Sequence, residues 1–403
     1  MENKLKLQEF IRSNPDWERI LSEKPYSLII QRDEVLGRKL VLFKYNQIES
    51  DMSLGLVKEC RGIILDEDTL EPVCVPFFKF FNAGEPNAAE VDWNTAWTST
   101  KLDGSLTKVV KLGDNLLVST NGTIDAYKAP VQEQIGFVGK TFGGLFEMAL
   151  LNAQKKAMSG RACCDWYLTP IQWLAPMLEE GYTYMFELTS PYNKIVVSWP
   201  EPKLWFIGCR DNKTLKEIRY SDHPLSKVFD TPETFPLTNL NEVKAAAEKL
   251  DCNHEGFVVC DGDFNRLKVK SELYVRLHHI CNNHVLSFER GIELVRENEL
   301  DEVLTYFPEF REHLEKIRDD IAVLVVKLDS AWRKFSDARP GLETRKDQAV
   351  FISSKDCFGK FSGVGFALLD GKVSSAEEWI NSVPARRLVQ ILGYKEKPEA
   401  PES

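Results

Sequence analysis

The feature that most constrains the fold of this chain is a succession of short β-type segments separated by brief turns. They include SLIIQRD, KLVLFKYN, RGIILD and LTKVVKL in the first part of the chain, and TYMFELTS, KLWFIGCR, GFVVCD and RLKVKS after residue 180. Each segment is rich in β-branched and aromatic residues, and several adjoin Asp-Gly or Gly-Asp pairs that favour hairpin turns. Because parallel strands require a crossover of a dozen or more residues, turns this short predict antiparallel sheets.

Helical periodicity is concentrated in two later parts of the chain. Between about 129 and 180, TFGGLFEMALLNAQKKAM places Leu145, Met148 and Ala149 on one face. Beyond 283 the β pattern stops, and the apolar residues of REHLEKIRDDIAVLVVKLDSAWRKF recur at helical spacing. The sequence therefore predicts an α+β domain over residues 1–282, with a helical insert at about 129–180. An all-α domain follows over 283–395, and a disordered tail over 396–403.

Composition limits the class of protein. The chain has 403 residues, no apolar run long enough to span a membrane and no signal-like start, and its 9 cysteines form no CxxC pair. We therefore expect two or three domains in the cytoplasm or another reducing compartment. A formal net charge of −10 argues against non-specific coating of nucleic acid, although RLKVK at 266–270 is a local basic segment.

The segment KLDGS begins with Lys101, and its five residues allow two interpretations. Lys101 is either a reactive amine held beside a carboxylate or a charged residue that leads into a tight Asp-Gly turn. The pattern Lys-x-Asp-Gly is short enough to arise by chance, so the segment alone leaves both interpretations open.

Other ionisable residues lie inside strand-like runs downstream of Lys101. Glu187 occurs in FELTS, Glu255 in EGFVV, and Lys268 and Lys270 in LKVKS. An unpaired charge in such a run is costly, so each residue requires a partner or a ligand. The alternation of a strand places Lys268 and Lys270 on one face, where they repel unless an anion such as a triphosphate lies between them. An exposed strand face is the alternative.

The order of these segments resembles a known superfamily. KLDGS, FELTSPYNKIVV, WFIGCR, EGFVV and LKVKS resemble motifs I, III, IIIa, IV and V of the covalent nucleotidyltransferases, which comprise polynucleotide ligases and mRNA capping enzymes. Upstream, ECRGII and PFFKFFN resemble elements of the phage-type RNA ligase 1 family. The resemblance covers roughly residues 25–280. It implies a nucleotidyltransferase fold and an ATP-dependent RNA ligase that joins 5′-phosphate and 3′-hydroxyl ends through lysyl-AMP and an adenylated RNA end.

The resemblance also implies roles for individual residues. Lys101 would be the nucleophile, with Lys268 and Lys270 as further catalytic lysines that lower its pKa together with bound magnesium or manganese. Glu255 would hold the metal, and Asp301 is a second metal candidate for which helix capping is the alternative. The residues that would bind ATP are Arg61, Lys79, Lys101, Asp103, Gly104, Glu187, Glu255, Lys268 and Lys270.

Finer roles follow from the same resemblance. Arg61 and Lys79 would hold the outer phosphates, and Glu187 would bind a ribose hydroxyl. Asp103 would orient Lys101 and the ribose, while Gly104 would permit a close backbone turn. The candidates to stack on adenine, each equally suited to the core, are Phe186, Trp205 and Phe206.

At one position the sequence departs from the family pattern. Asn121 stands where the family commonly has a lysine, so either Lys108 or Lys128 contacts the triphosphate or that interaction is weaker here. The expected partners are RNA ends, with broken tRNA as one candidate, and an end-healing kinase or phosphatase, but no membrane. The C-terminal domain would dock RNA. The alternatives are another polynucleotide ligase or capping enzyme, and an inactive RNA-binding protein.

Overall fold

A computed structural model describes residues 4–131, 141–159, 168–275, 286–297, 300, 303–304 and 307–394. The chain divides into two compact units, which comprise residues 1–279 and 280–402. No helix in these described ranges is long and apolar enough to cross a membrane.

The first unit contains three sheets. Its strands are, in chain order, β1 (Leu28–Val35), β2 (Arg38–Tyr45), β3 (Arg61–Asp66), β4 (Pro72–Cys74), β5 (Phe81–Asn82), β6 (Trp97–Lys101), β7 (Ser105–Leu112), β8 (Asn115–Thr120), β9 (Tyr182–Thr189), β10 (Lys203–Asp211), β11 (Glu217–Ile218), β12 (Thr234–Phe235), β13 (Gly256–Cys260) and β14 (Arg266–Lys270). The sheet orders are β1-β2-β3-β4, β11-β10-β9-β7-β8 and β12-β6-β13-β14-β5. The prediction of antiparallel sheets is confirmed, with one parallel pair between β14 and β5.

Strand register in the third sheet brings distant segments into one row. On β13, Gly256 lies opposite Lys101 of β6 on one side and Lys270 of β14 on the other. Two residues further along, Val258 lies between Ser99 and Lys268. The sheet therefore places the KLDGS lysine beside the LKVKS pair, although about 170 residues of chain separate them.

Among the described residues, the helices of the first unit include α1 (Lys6–Ser13), α2 (Trp17–Ser22), α3 (Gly55–Glu59), α4 (Phe142–Met158), α5 (Pro170–Leu174) and α6 (Leu240–Ala247). α4 begins at a Thr141 cap and packs on the second sheet. Its Leu145 and Ala149 are buried there, and Met148 packs beside them, as the predicted face requires.

Helices make up the regular structure described in the second unit: α7 (Phe288–Arg296), α8 (Arg311–Ala338), α9 (Arg345–Ser353), α10 (Ser362–Leu369), α11 (Ala376–Ser382) and α12 (Ala385–Leu392). The apolar stripe of α8 is buried, as its spacing predicted, and Ile317, Ile321 and Leu328 belong to the core of this unit. The expected α+β fold with a helical C-terminal region is therefore confirmed.

Candidate active site

A cavity of about 290 Å³ lies where the second and third sheets face each other. Side chains of β6, β13 and β14 line it from one sheet, and Glu187 of β9 and Ile207 of β10 line it from the other. The predicted site residues that line it are Arg61, Lys79, Lys101, Gly104, Glu187, Lys268 and Lys270. The fold thus brings most of the predicted nucleotide-binding residues together around one space.

Glu255 joins two of the predicted lysines beside this cavity. Its side chain is only 4% exposed, and Oε2 accepts a hydrogen bond from Lys101 Nζ at 2.5 Å. Oε1 forms an ion pair with Lys270 Nζ at 3.0 Å. Although burial alone would raise the pKa of Glu255, the two ammonium groups lower it below the ordinary value. Glu255 is therefore a buried carboxylate anion shared by two lysines.

The expectation that Lys268, Lys270 and bound magnesium together lower the Lys101 pKa stays a prediction, but the side chains by themselves act in the other direction. Burial does disfavour the ammonium form, but Glu255, Glu187 and Asp103 act in the opposite direction and outweigh it. The pKa of Lys101 consequently lies above its ordinary value. The sequence-based expectation counted the neighbouring cations and omitted these three carboxylates.

Lys268 is the predicted site lysine whose pKa falls. Burial lowers the pKa to about 7, and the positive charges of Lys101, Lys79, Lys270 and Arg61 contribute in the same direction. Lys268 therefore titrates near neutral pH. A bound anion would restore its charged form.

Glu187 has a similarly displaced pKa. Burial, aided by Glu255 and Asp103 and opposed by Lys101 and Arg61, raises the pKa of Glu187 to about 7. The side chain lines the cavity from β9. Its carboxyl group is therefore divided between neutral and charged forms at pH 7.

Arg61 and Lys79 contribute the other cations of the cavity. Arg61 Nη1 is buried and has no hydrogen-bond partner among the described residues, and the guanidinium lies 5.3 Å from the Phe80 ring centroid. Lys79 Nζ lies 4.9 Å from the Tyr45 ring centroid. A buried unpaired guanidinium nitrogen is a donor for an anionic ligand, because leaving it unsatisfied is costly.

The expected contact of Asp103 with a ribose is not supported, because its carboxylate is occupied elsewhere. Oδ2 accepts hydrogen bonds from the backbone N–H groups of Val196 at 2.9 Å and Val197 at 2.7 Å, and Oδ1 accepts one from Tyr274 Oη at 2.8 Å. The side chain is 2% exposed and does not line the cavity. Asp103 instead ties the segment after β9 to the start of β7.

Gly104 is required for a reason other than a positive φ. A Cβ at this position would lie 2.5 Å from the Leu188 carbonyl oxygen, on the strand that carries Glu187. Glycine is required at Gly256 for two reasons: its φ is +139°, and a Cβ there would lie 2.1 Å from the Val269 carbonyl oxygen. Sequence reasoning did not assign a role to Gly256, although its position directly after Glu255 was a usable signal.

The Asn121 position faces the cavity, and its Oδ1 is buried without a partner among the described residues. Of the two proposed substitutes for the family lysine, Lys128 is paired with Asp33 at 2.6 Å and does not line the cavity. Lys108 is fully buried, and its Nζ donates to the Gly62 carbonyl oxygen, next to Arg61. Lys108 therefore holds the backbone of Gly62, the residue after Arg61, and neither lysine lines the cavity.

The three aromatic candidates for adenine stacking are not placed for it. Phe186 and Phe206 are fully buried in the core against α4. Trp205 donates from Nε1 to Thr189 Oγ1 at 3.0 Å and does not line the cavity. Other side chains supply the apolar lining, and those that sequence reasoning missed include Trp97, Ile207, Ile218, Val258 and Phe264.

The two metal candidates, Glu255 and Asp301, differ in whether the structure describes them. Glu255 lies beside the cations of the cavity, whereas Asp301 lies outside the described residues. In the described part of the chain, no group of three or more His, Cys, Asp or Glu side chains is arranged to hold a metal ion. A metal at Glu255 would therefore need ligands from a bound substrate and from water, which is the usual mode for magnesium with phosphates.

Fold and site together place the Lys101 amine among several other cations around one cavity between two sheets. A family model described as RNA ligase matches residues 59–274, which is more than half of the chain, and the chain belongs to this RNA ligase family. The resemblance to the phage-type RNA ligase 1 family is thereby confirmed.

Individual relatives agree with this family. A protein of Autographa californica nuclear polyhedrosis virus, named as a bifunctional polynucleotide kinase/RNA ligase, is 30% identical over 284 residues, which is 68% of this chain and 38% of that protein. An RNA ligase of Rhodothermus phage RM378 is 24% identical over 332 residues, covering 68% of this chain and 71% of the phage protein. The solved structure of an archaeal ATP-dependent RNA ligase aligns with 87% of this chain and 89% of its own, at 14% identity and a TM-score of 0.42.

Proposed function

We propose that this protein is an ATP-dependent RNA ligase that uses Lys101 as its nucleophile. The observation that carries the proposal is the sharing of one buried carboxylate, Glu255, between Lys101 and Lys270 at the wall of a cation-lined cavity. Two ammonium groups and one carboxylate leave a net positive charge, to which Arg61 and Lys79 add. A triphosphate is an anion of the size and charge that such a cluster can bind.

In the first step the Lys101 amine forms a P–N bond to the α-phosphorus of ATP, and the bond to the β-phosphate oxygen breaks to release pyrophosphate. Lys101 must lose an ammonium proton, which passes to solvent, because Glu255, its partner at 2.5 Å, has a lowered pKa and is a poor acceptor. The raised pKa of Lys101 opposes this loss in the resting pair. Positive charge bound to Glu255 would lower the Lys101 pKa and favour release of the proton.

Magnesium, or manganese in its place, would supply this positive charge. Glu255 offers hard carboxylate oxygens, and a nucleotide adds phosphate oxygens and bound water, which together satisfy such an ion. A bound cation would offset the carboxylate charge that keeps Lys101 protonated and would neutralise charge on the transferred phosphoryl group. Arg61 and Lys79 would hold the outer phosphates, Lys268 and Lys270 would contact the α-phosphate, and Glu187 would bind a ribose hydroxyl.

Two further transfers complete ligation. The 5′-phosphate of an RNA attacks the lysyl-AMP phosphorus, so that a P–O bond replaces the P–N bond and the lysine becomes free. A 3′-hydroxyl then attacks the RNA phosphorus, forms the phosphodiester with loss of a proton, and releases AMP. The helical second unit would dock the RNA, and broken tRNA is one substrate of suitable chemistry. The kinase activity in the viral relative's name supports end healing as a companion reaction.

Labelling with nucleotide tests the nucleophile. Wild-type protein incubated with α-labelled ATP and magnesium should acquire an acid-labile AMP adduct, whereas Lys101→Ala should acquire none. Lys244→Ala, which removes an exposed lysine of α6, is the matched control and should be labelled normally. Persistent labelling of Lys101→Ala, or labelling of the wild type by GTP alone, would contradict the proposal.

The substrate needs a second experiment. Sealing should be compared on single-stranded 5′-phosphorylated RNA, on a nicked duplex and on a nicked tRNA, with Glu255→Ala as a variant of altered metal dependence. Formation of lysyl-AMP without sealing of any RNA substrate would remove the ligase assignment while leaving adenylation intact.

A further inference from the structure

The cavity has two chemically different ends. One end contains the row of Lys101, Gly256 and Lys270, and the other contains the row of Trp97, Cys260 and Arg266 on the same strands. Four residues of β6 separate Lys101 from Trp97, which corresponds to about 13 Å along an extended strand. The far end thus lies at a distance from the cations where a nucleotide would place its base.

Apolar side chains wall the space between the two ends. Ile207 reaches it from β10 of the second sheet, at the bulge between Phe206 and Gly208, and Val258 reaches it from β13 of the third sheet. Both aliphatic side chains line the same cavity from facing sheets, so a flat ring bound there would have an apolar side chain on each face. Trp97 and Phe264 also line the cavity, and their rings pack edge to face with centroids 6.0 Å apart.

At the far end, two polar side chains retain unused hydrogen-bonding atoms. Tyr220 is 6% exposed, and its Oη has no hydrogen-bond partner of ordinary geometry among the described residues, although the Ser99 hydroxyl lies near it. Arg219 places its guanidinium carbon 4.2 Å from the Trp97 ring centroid, and its buried Nε is also without a partner there. Both side chains line the cavity. Buried polar atoms are normally satisfied, so these two indicate a ligand with a polar edge.

We propose that Arg219 and Tyr220 are specificity-determining residues that read the edge of an adenine base lying between Ile207 and Val258. Arg219 Nε–H can only donate, so it takes a ring nitrogen of the base. The Tyr220 hydroxyl can accept, so it takes the neighbouring exocyclic amine. This proposal rests on the proposed function, because it assumes that the phosphates of the same nucleotide occupy the cation end.

The test compares two nucleotides that differ only in that amine. Binding of ATP and of purine riboside triphosphate, which lacks the 6-amino group, is measured by calorimetry in EDTA, so that phosphoryl transfer does not intervene. Tyr220→Phe should weaken ATP binding about tenfold and leave purine riboside triphosphate unchanged, since one hydrogen bond is lost only with ATP. Arg219→Met should weaken both nucleotides to a similar extent, because both retain the ring nitrogen.

Controls distinguish adenine recognition by Arg219 and Tyr220 from a general loss of structure and from failure of the ligase proposal. Tyr26→Phe removes a hydroxyl far along the chain from the cavity lining and should bind both nucleotides as the wild type does. Equal weakening of both nucleotides by Tyr220→Phe, or none, would overturn the assignment. If the amine-dependent difference is present but no lysyl-AMP forms with magnesium, the base-reading inference stands and the proposed activity fails.

Discussion

The low pKa of Lys268 predicts that nucleotide binding takes up a proton. The pKa is about 7 because the side chain is buried among Lys101, Lys79, Lys270 and Arg61. At pH 8, about one Lys268 side chain in ten carries its proton, whereas at pH 6 about nine in ten do. A triphosphate beside Lys268 stabilises the ammonium form and raises its pKa. Binding should therefore take up about 0.9 proton through Lys268 at pH 8 and only about 0.1 at pH 6.

Calorimetry in buffers of different ionisation enthalpy measures this uptake directly. The ligand is α,β-methylene-ATP, in which the bond that would be broken on transfer to Lys101 is replaced. Glu187 also titrates near pH 7 and could contribute to proton uptake. The uptake due to Lys268 is therefore the difference in proton uptake between the wild type and Lys268→Met. Glu187→Gln removes the contribution of Glu187. Equal proton uptake by the wild type and Lys268→Met at pH 8 would refute the reasoning.

Two further predictions concern buried positions near the site. Gly256→Ala should destabilise the protein by about 1–3 kcal/mol in chemical denaturation and suppress lysyl-AMP formation, because its Cβ would collide with the Val269 carbonyl. Gly113→Ala is the control, because Gly113 has φ +61° but open space around it. An equal effect of the two substitutions would contradict the prediction. Burial and Arg61 lower the pKa of Lys108 to about 8, so the folded state loses this proton before the unfolded state does, and stability from this group rises between about pH 8 and 10. Lys108→Met should reduce that rise by up to ~1.4 kcal/mol per pH unit, and unchanged slopes would contradict the assignment.

The local patterns of the sequence predicted the classes of structure correctly. Alternating β-branched residues and short turns indicated antiparallel strands, and the α8 spacing indicated a helix with a buried stripe. These signals are local, because both periodicities arise within a few consecutive residues. The ordered motifs likewise indicated which residues to examine, and Arg61, Lys79, Glu187 and Lys268 do line one cavity.

The sequence alone did not predict properties that depend on distant segments. Lys101 and Glu255 are 154 positions apart in the chain, and only the pairing of β6 with β13 brings them to 2.5 Å. The pKa of Lys101 depends on that distance and on burial, so the motifs alone did not show that the surrounding carboxylates raise it. The hydrogen bonds of Asp103 were not predictable for the same reason, since its partners Val196 and Tyr274 come from remote segments.

Sequence by itself thus determined the antiparallel α+β class, the helical C-terminal region and the set of charged residues on which the chemistry would depend. Tertiary structure alone decided which carboxylate holds which lysine, that Lys268 rather than Lys101 has the low pKa, and that Ile207, Val258, Arg219 and Tyr220 line one cavity. The physical reason is that strand and helix patterns are set by neighbouring residues, whereas Coulomb interactions and desolvation depend on distances that only the folded chain defines.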